Sequence, residues 1–124
     1  MNTSQTIYHL IGEEKIRLLT SYFYQEVSKN DALKKLYPDD LAPAQERLFL
    51  FLLQVFGGPE TYSGQRGHPR LRMRHAKWKI DAAMRDHWMN AMLVALDQLE
   101  LETNIREAMM SYFVKAANHM INHE

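Results

Sequence analysis

His75, Tyr24, Tyr37 and Trp88 carry chemistry that a purely apolar helical core does not need. His75 stands in the run RLRMRHAKW, with Leu71 four residues before it, Trp78 three after it and Met73 nearby. Two readings fit that setting. It is either a partly buried structural histidine or an axial ligand, a neutral imidazole nitrogen on iron whose other ring N–H is held so as to fix the tautomer. Tyr24, Tyr37 and Trp88 each set a phenol or indole on or beside an apolar helix face or bend, where a buried O–H or N–H needs a partner. Taken singly, each is satisfied by a backbone carbonyl. Taken together, beside Leu48, Phe51 and Met92, they line a cavity of donors suited to a small ligand that gains partial negative charge. Dioxygen on ferrous iron is such a ligand.

Other chemistries find little support. The chain has no cysteine, which removes disulfides, thiolate nucleophiles and cysteine-ligated zinc or iron–sulfur centres. His68 and His75 do not make a zinc site, because no third ligand stands at a suitable spacing and Gly67 and Pro69 give His68 a different local conformation. There is no P-loop, GxSxG, HExxH or dinucleotide glycine pattern. Glu13 with Glu14 and Asp39 with Asp40 are adjacent in sequence, and adjacent residues do not face one another on a helix.

Charge is uneven along the chain. With 15 basic and 15 acidic residues the formal net charge is zero, yet RGHPRLRMRHAKWKI over 66–80 holds Arg66, Arg70, Arg72, Arg74, Lys77 and Lys79 and no acid. Such a run suggests an anionic partner: nucleic acid, a phosphorylated ligand, a membrane surface or a carboxylate-bearing cofactor. The balanced total argues against a general nucleic-acid binder. A small all-α nucleic-acid-binding or protein-interaction module using 66–80 remains the alternative reading. No stretch approaches the ~18 to 20 apolar residues of a membrane span, and no leader pattern opens MNTSQTIYHL, so a cytoplasmic protein is expected.

The elements that must position these residues are helical. At 124 residues the chain is expected to be one domain burying roughly 65 to 70% of its unfolded surface. Ile16, Leu19, Phe23 and Val27 make the buried stripe of a helix over 13–28, with Tyr24 beside it. Asn30 and Asp31 offer caps for a short helix, DALKKLY, that ends near Tyr37 because Pro38 disfavours helical geometry before it. From Pro43 a strongly apolar helix runs to Gly57, Gly58 and Pro59. Residues 57–70 read as a long loop, followed by a short helix after Pro69. Asp81 caps a helix carrying Ile80, Met84, Trp88, Met92, Ala95 and Leu99, and another follows Thr103 with Ile105, Met109, Tyr112, Ala116 and Met120. The architecture is all-α, with about five helices.

The residues also match a known pattern. FY at 23–24, LYPDDL at 36–41, FGGPETYSGQRGHPRLRMRHAKW at 56–78 and RDHWMNAM at 85–92 resemble the group II truncated haemoglobins, over roughly residues 7 to 121. That resemblance implies a single truncated globin domain over 1–124, a two-over-two helical sandwich around a non-covalently bound b-type haem. It implies that His75 is the proximal iron ligand of a pentacoordinate iron and that Tyr24, Tyr37 and Trp88 form the polar distal site. Two further distal positions fall on Ala44, whose small side chain leaves a side route to the iron, and Leu48, which adds apolar bulk. Two local departures stand out: only Gly12, followed by Glu13, occupies the junction where the family usually has two glycines, and Lys77 stands where relatives often have proline.

The basic run then gains a candidate partner in the haem propionates. Arg74 and Arg47 are the expected contacts, with Tyr62 as a hydroxyl donor and Phe51 and Trp78 against the cofactor. The function expected from the resemblance is binding of dioxygen and other diatomics, carbon monoxide and nitric oxide among them. Redox chemistry with oxygen, nitric oxide or peroxide, or sensing, is favoured over bulk oxygen transport. Peroxidase-like or nitric oxide dioxygenase turnover would require an electron donor, since the chain has no flavin or nicotinamide motif. No nucleic acid or membrane partner is expected, and the protein would be a monomer or homodimer.

Overall fold

A computed structural model describes residues 6–66 and 80–121, and every regular element among them is a helix. In chain order these are α1 (Ile7–Ile11), α2 (Glu13–Lys29), α3 (Asp31–Lys34), α4 (Ala42–Val55), α5 (Thr61–Arg66), α6 (Ala82–Gln98) and α7 (Thr103–His119). The expected helix after Pro69 lies outside the described residues, as do His75, Arg74 and Trp78.

Helix α2 is the hub. Its stripe of Ile16, Leu19, Phe23 and Val27 is fully buried, each side chain contributing about 1.5 to 3 kcal/mol over an exposed position. It packs most extensively against α6, next against α4, while α6 also pairs with α7. Two helix pairs, α2 with α4 and α6 with α7, therefore lie across one another in a two-over-two sandwich.

Local signals start the elements that carry the site. Asn30 is extended and accepts from the Leu33 N–H at 3.1 Å, which ends α2 and starts α3. Asp81 does the same for α6, accepting from Met84 N–H at 2.9 Å. Asp40 Oδ1 accepts from Ala42 N–H at 3.0 Å, and α4 opens with Pro in its first turn. The apolar run in α4 does bury more than one face, with Phe49, Phe51, Leu52 and Leu53 in the core and Leu48 and Leu50 packed against it.

Two elements differ from the sequence expectation. Residues 7–11 are helical, capped by Thr6, and a single glycine with φ of +87° at Gly12 suffices to turn α1 into α2. The stretch after Gly57 is not all loop, because Thr61–Arg66 forms α5. Gln54, at the end of α4, holds that helix with both ends of its amide: Nε2 donates to Ser63 Oγ at 2.7 Å and Oε1 accepts from Ser63 N–H at 3.0 Å. The glycine pair between α4 and α5 makes room for α1. Tyr8 N–H donates to the Phe56 carbonyl at 2.8 Å, and a Cβ on Gly58 would lie 2.7 Å from the Tyr8 ring.

Candidate functional site

The polar aromatics converge. Tyr24 leaves α2 one residue after Phe23 and is 6% exposed. Its ring meets that of Tyr37 edge-on at 5.5 Å and 84°, and its hydroxyl donates to the Ala44 carbonyl on α4 at 3.4 Å. The Tyr24 and Tyr37 hydroxyls also interact, which favours the neutral form of Tyr24 and the ionised form of Tyr37. Burial pushes both phenols well above the ordinary tyrosine range, and the Arg47 guanidinium on α4 opposes part of the rise. Both hydroxyls therefore keep their protons throughout the physiological range.

Trp88 reaches the same place from α6. Its ring rests on Phe23 at 5.5 Å and on Phe113 of α7 at 5.9 Å. It also shares a cavity of about 30 Å³ with Tyr37, between α3, α6 and α7. The indole N–H has no hydrogen-bond partner among the described residues. With no acceptor among the described residues, the N–H of this half-buried ring is available to a ligand or a water.

The remaining expected residues fall on either side of this group. Ala44 is buried beneath Tyr24, and Leu48, one turn further along α4, packs against the core. Phe51 holds the buried ring of Tyr62 edge-on at 5.3 Å, joining α4 to α5. Arg47 is exposed on α4 and near enough to both phenols for its charge to act on them. The structure thus gathers Tyr24, Tyr37, Ala44, Arg47 and Trp88, and places Phe51 and Tyr62 together further along α4. No group of three metal-ligating side chains occurs among the described residues.

One polar pair at the site escapes a reading of the sequence. Asn30 Nδ2 lies 3.1 Å from Nδ1 of His87, the residue before Trp88. Asn30 is legible as a cap, but nothing local signals a contact across 57 residues.

The donor set suits a haem with a small polar ligand. Neutral phenols and an unpartnered indole N–H stand near a small residue, with apolar Leu48 and Phe51 on the same helix, and no carboxylate belongs to the group.

Comparison with known proteins agrees. Residues 6–122 match the bacterial-like globin family. The chain is 37% identical over 115 residues to the group 2 truncated hemoglobin YjbI of Bacillus subtilis (strain 168), covering 93% of this chain and 87% of that one. It is similar to the solved hemoglobin of the thermophilic phototroph Chloroflexus aurantiacus, at 45% identity and a TM-score of 0.93, covering 97% of this chain and all (100%) of that one. It is also similar to the group II truncated hemoglobin of Bacillus anthracis, at 34% identity and a TM-score of 0.93, over 98% and 94% of the two chains. The chain belongs to the bacterial-like globin family, among the group II truncated haemoglobins, and is a haem-based protein that binds small ligands such as oxygen. That assignment gives no support to a nucleic-acid or cofactor-free interaction module. Among the described residues no helix is long and apolar enough to cross a membrane.

Proposed function

We propose that the chain holds a b-type haem with His75 as its axial ligand and binds dioxygen, nitric oxide and carbon monoxide for redox chemistry or sensing rather than bulk transport. The observation that carries this reading is the convergence of two permanently protonated phenols and an unpartnered indole N–H beside Ala44. When bound, the haem supplies reversible binding of diatomics and one-electron redox chemistry at iron.

The chain's own residues do the rest. Trp88 donates an N–H that breaks no bond to any described residue when it turns to a ligand. Tyr24 and Tyr37 form a coupled pair whose rings are fixed by edge-on packing, and the Tyr24 O–H meets a ligand by turning from its long contact with the Ala44 carbonyl. A hydrogen bond to a charged or strongly polarised ligand contributes about 1.5 to 3 kcal/mol, so two together slow ligand escape by roughly two orders of magnitude or more. Such retention suits chemistry or sensing better than delivery. Ala44 leaves the side approach open, and Leu48 adds apolar bulk without a competing donor. Arg47, Arg74 and the Tyr62 hydroxyl are the proposed propionate contacts, with Phe51 and Trp78 against the macrocycle. Turnover of oxygen, nitric oxide or peroxide draws electrons from a separate donor protein or small reductant.

Haem titration of the purified apoprotein tests this directly. Wild type is expected to develop a strong Soret band, which His75→Ala weakens or shifts. Failure of wild type to take up haem, or an unchanged spectrum in His75→Ala, contradicts the assignment.

A further inference from the structure

The pair formed by Asn30 and His87 joins the two segments that carry Tyr37 and Trp88. Asn30 is the corner between α2 and α3, and the chain runs from α3 through a turn, closed by Tyr37 N–H on the Lys34 carbonyl at 3.2 Å, directly into Tyr37. His87 immediately precedes Trp88 on α6.

Its chemistry is decided by the cap. Asn30 Oδ1 already accepts from Leu33 N–H at 3.1 Å, so the amide end facing His87 is the NH2 group, a donor. His87 Nδ1, 3.1 Å away, must then accept. That contact is one a neutral imidazole makes with its proton on Nε2. A protonated imidazole donates from both nitrogens and meets the Asn30 NH2 donor to donor. Rotating the amide would restore the bond only by giving up the cap of α3.

Beyond the pair, where Leu33 and Tyr37 face Met84 and Trp88, the seam is not filled by packing. The cavity of about 30 Å³ between α3, α6 and α7 is lined by Leu33, Tyr37, Met84, Arg85, Trp88 and Met120 among others, enough for a water and for small shifts of its walls. A polar clamp therefore sets a spacing that apolar contact leaves loose. Charged groups on the surrounding elements are largely committed in pairs. On α2, Glu26 pairs with Lys29 at 3.3 Å; on α6, Arg85 pairs with Asp86 at 2.9 Å and donates to Asn118 of α7 at 2.7 Å. Arg106 of α7 pairs with Asp97 of α6 at 2.8 Å, and Asp31, Lys34 and Lys35 at α3 with Glu107, Lys115 and His119 on α7 add both signs.

We propose that Asn30 and His87 form a proton-sensitive positioning clamp that holds Tyr37 and Trp88 at their working separation and opens when His87 takes up a proton. Histidine changes charge between roughly pH 5 and 8, so acidification loosens the distal wall and speeds ligand release. The proposal rests on Tyr37 and Trp88 acting as ligand donors.

The test measures dioxygen or carbon monoxide dissociation from the haem-loaded ferrous protein across that pH range, with imidazole nitrogen NMR of the carbon monoxide-saturated protein as a second readout. Wild type is expected to release ligand about fivefold faster at the acid end, the equivalent of one neutral hydrogen bond. His87→Gln removes the step. Asn30→Asp is the decisive variant: its carboxylate keeps the Leu33 cap but accepts from a protonated His87, so acid slows release and the sign of the trend reverses. An Asn30→Asp trend of the same sign as wild type overturns the clamp, as does NMR showing the His87 proton on Nδ1 at neutral pH. If Trp88→Phe speeds release while wild type shows no pH step, the clamp alone fails. If Trp88→Phe leaves the rate unchanged, the distal reading fails and the clamp falls with it.

Discussion

Aromatic rings crowd together in two places, around Tyr24 and around Phe56. In the first, Tyr24 lies edge-on to Phe23 at 5.0 Å and to Tyr37 at 5.5 Å. In the second, Phe56 lies edge-on to Tyr112 at 5.6 Å and to Phe113 at 5.8 Å. Ring chemistry and stacking are the same, and the contact of Trp88 with Phe113 at 5.9 Å ties the clusters together. What separates them is where the polar ends go. Around Tyr24, two hydroxyls meet near a small residue and an unpartnered indole N–H. Around Phe56, the one hydroxyl in the cluster, that of Tyr112 on a half-buried ring, makes no hydrogen bond among the described residues. Aromatic packing builds both clusters, and convergence of donors makes the first the proposed site.

The comparison breaks most severely at Phe113, which touches both clusters and is 1% exposed. Phe113→Ala is expected to destabilise the protein by about 3 to 5 kcal/mol in denaturant unfolding, and to perturb ligand kinetics through Trp88. A loss below about 1 kcal/mol would show that the two clusters are not mechanically joined.

A smaller loss is expected where the second cluster meets α1. Gly58→Ala puts a Cβ 2.7 Å from the Tyr8 ring and 2.9 Å from the Leu53 carbonyl. It is expected to cost about 1 to 3 kcal/mol, with hydrogen exchange rising in α1 and ligand kinetics unchanged. Altered ligand release in this variant would extend the functional region beyond the first cluster.

Alkali separates the clusters more finely. Burial pushes the Tyr112 phenol up to about 12, above an unfolded value near ~10. A raised acid pKa means the folded state holds the proton more tightly, so stability is complete below about pH 10 and declines as pH rises towards 12. Partial solvent access reduces the effect to on the order of 1 to 2 kcal/mol. Tyr112→Phe is expected to flatten the alkaline limb of an unfolding profile while leaving oxygen release as in wild type.

The mildest change lies outside both clusters. Arg17 sits 3.8 Å over the Phe49 ring and pairs with Glu46 at 3.2 Å, with both charged ends about half exposed (52% and 53%). Arg17→Ala is expected to cost under about 1 kcal/mol, measured by the same denaturant midpoint, with no kinetic signature.

Much of the first cluster was legible in the sequence because its determinants are local. The stripe from Ile16 to Val27 sets the face that α2 buries, and Tyr24 follows from its place beside that stripe. Pro38 puts Tyr37 at a bend, and Asp81 starts the helix that delivers Trp88. The second cluster was harder to read. Helix α1 is five residues long, too short for a periodic signal, and depends on the Phe56 carbonyl and the open face of Gly58. Helix α5 depends on Gln54, which a composition rich in Gly, Pro, Ser and Thr conceals. The contact between Asn30 and His87 is tertiary and no pattern announces it. His75 is a different case: its spacing alone favoured a structural role, and only the resemblance of its surrounding block turned the reading towards an iron ligand.

The central claim is that Tyr24 and Trp88 retain the ligand. Oxygen dissociation from the haem-loaded Tyr24→Phe, Trp88→Phe double variant tests it most directly. The account predicts release faster than wild type by roughly two orders of magnitude. A rate within about twofold of wild type, under half a kilocalorie per mole of lost retention, would contradict it.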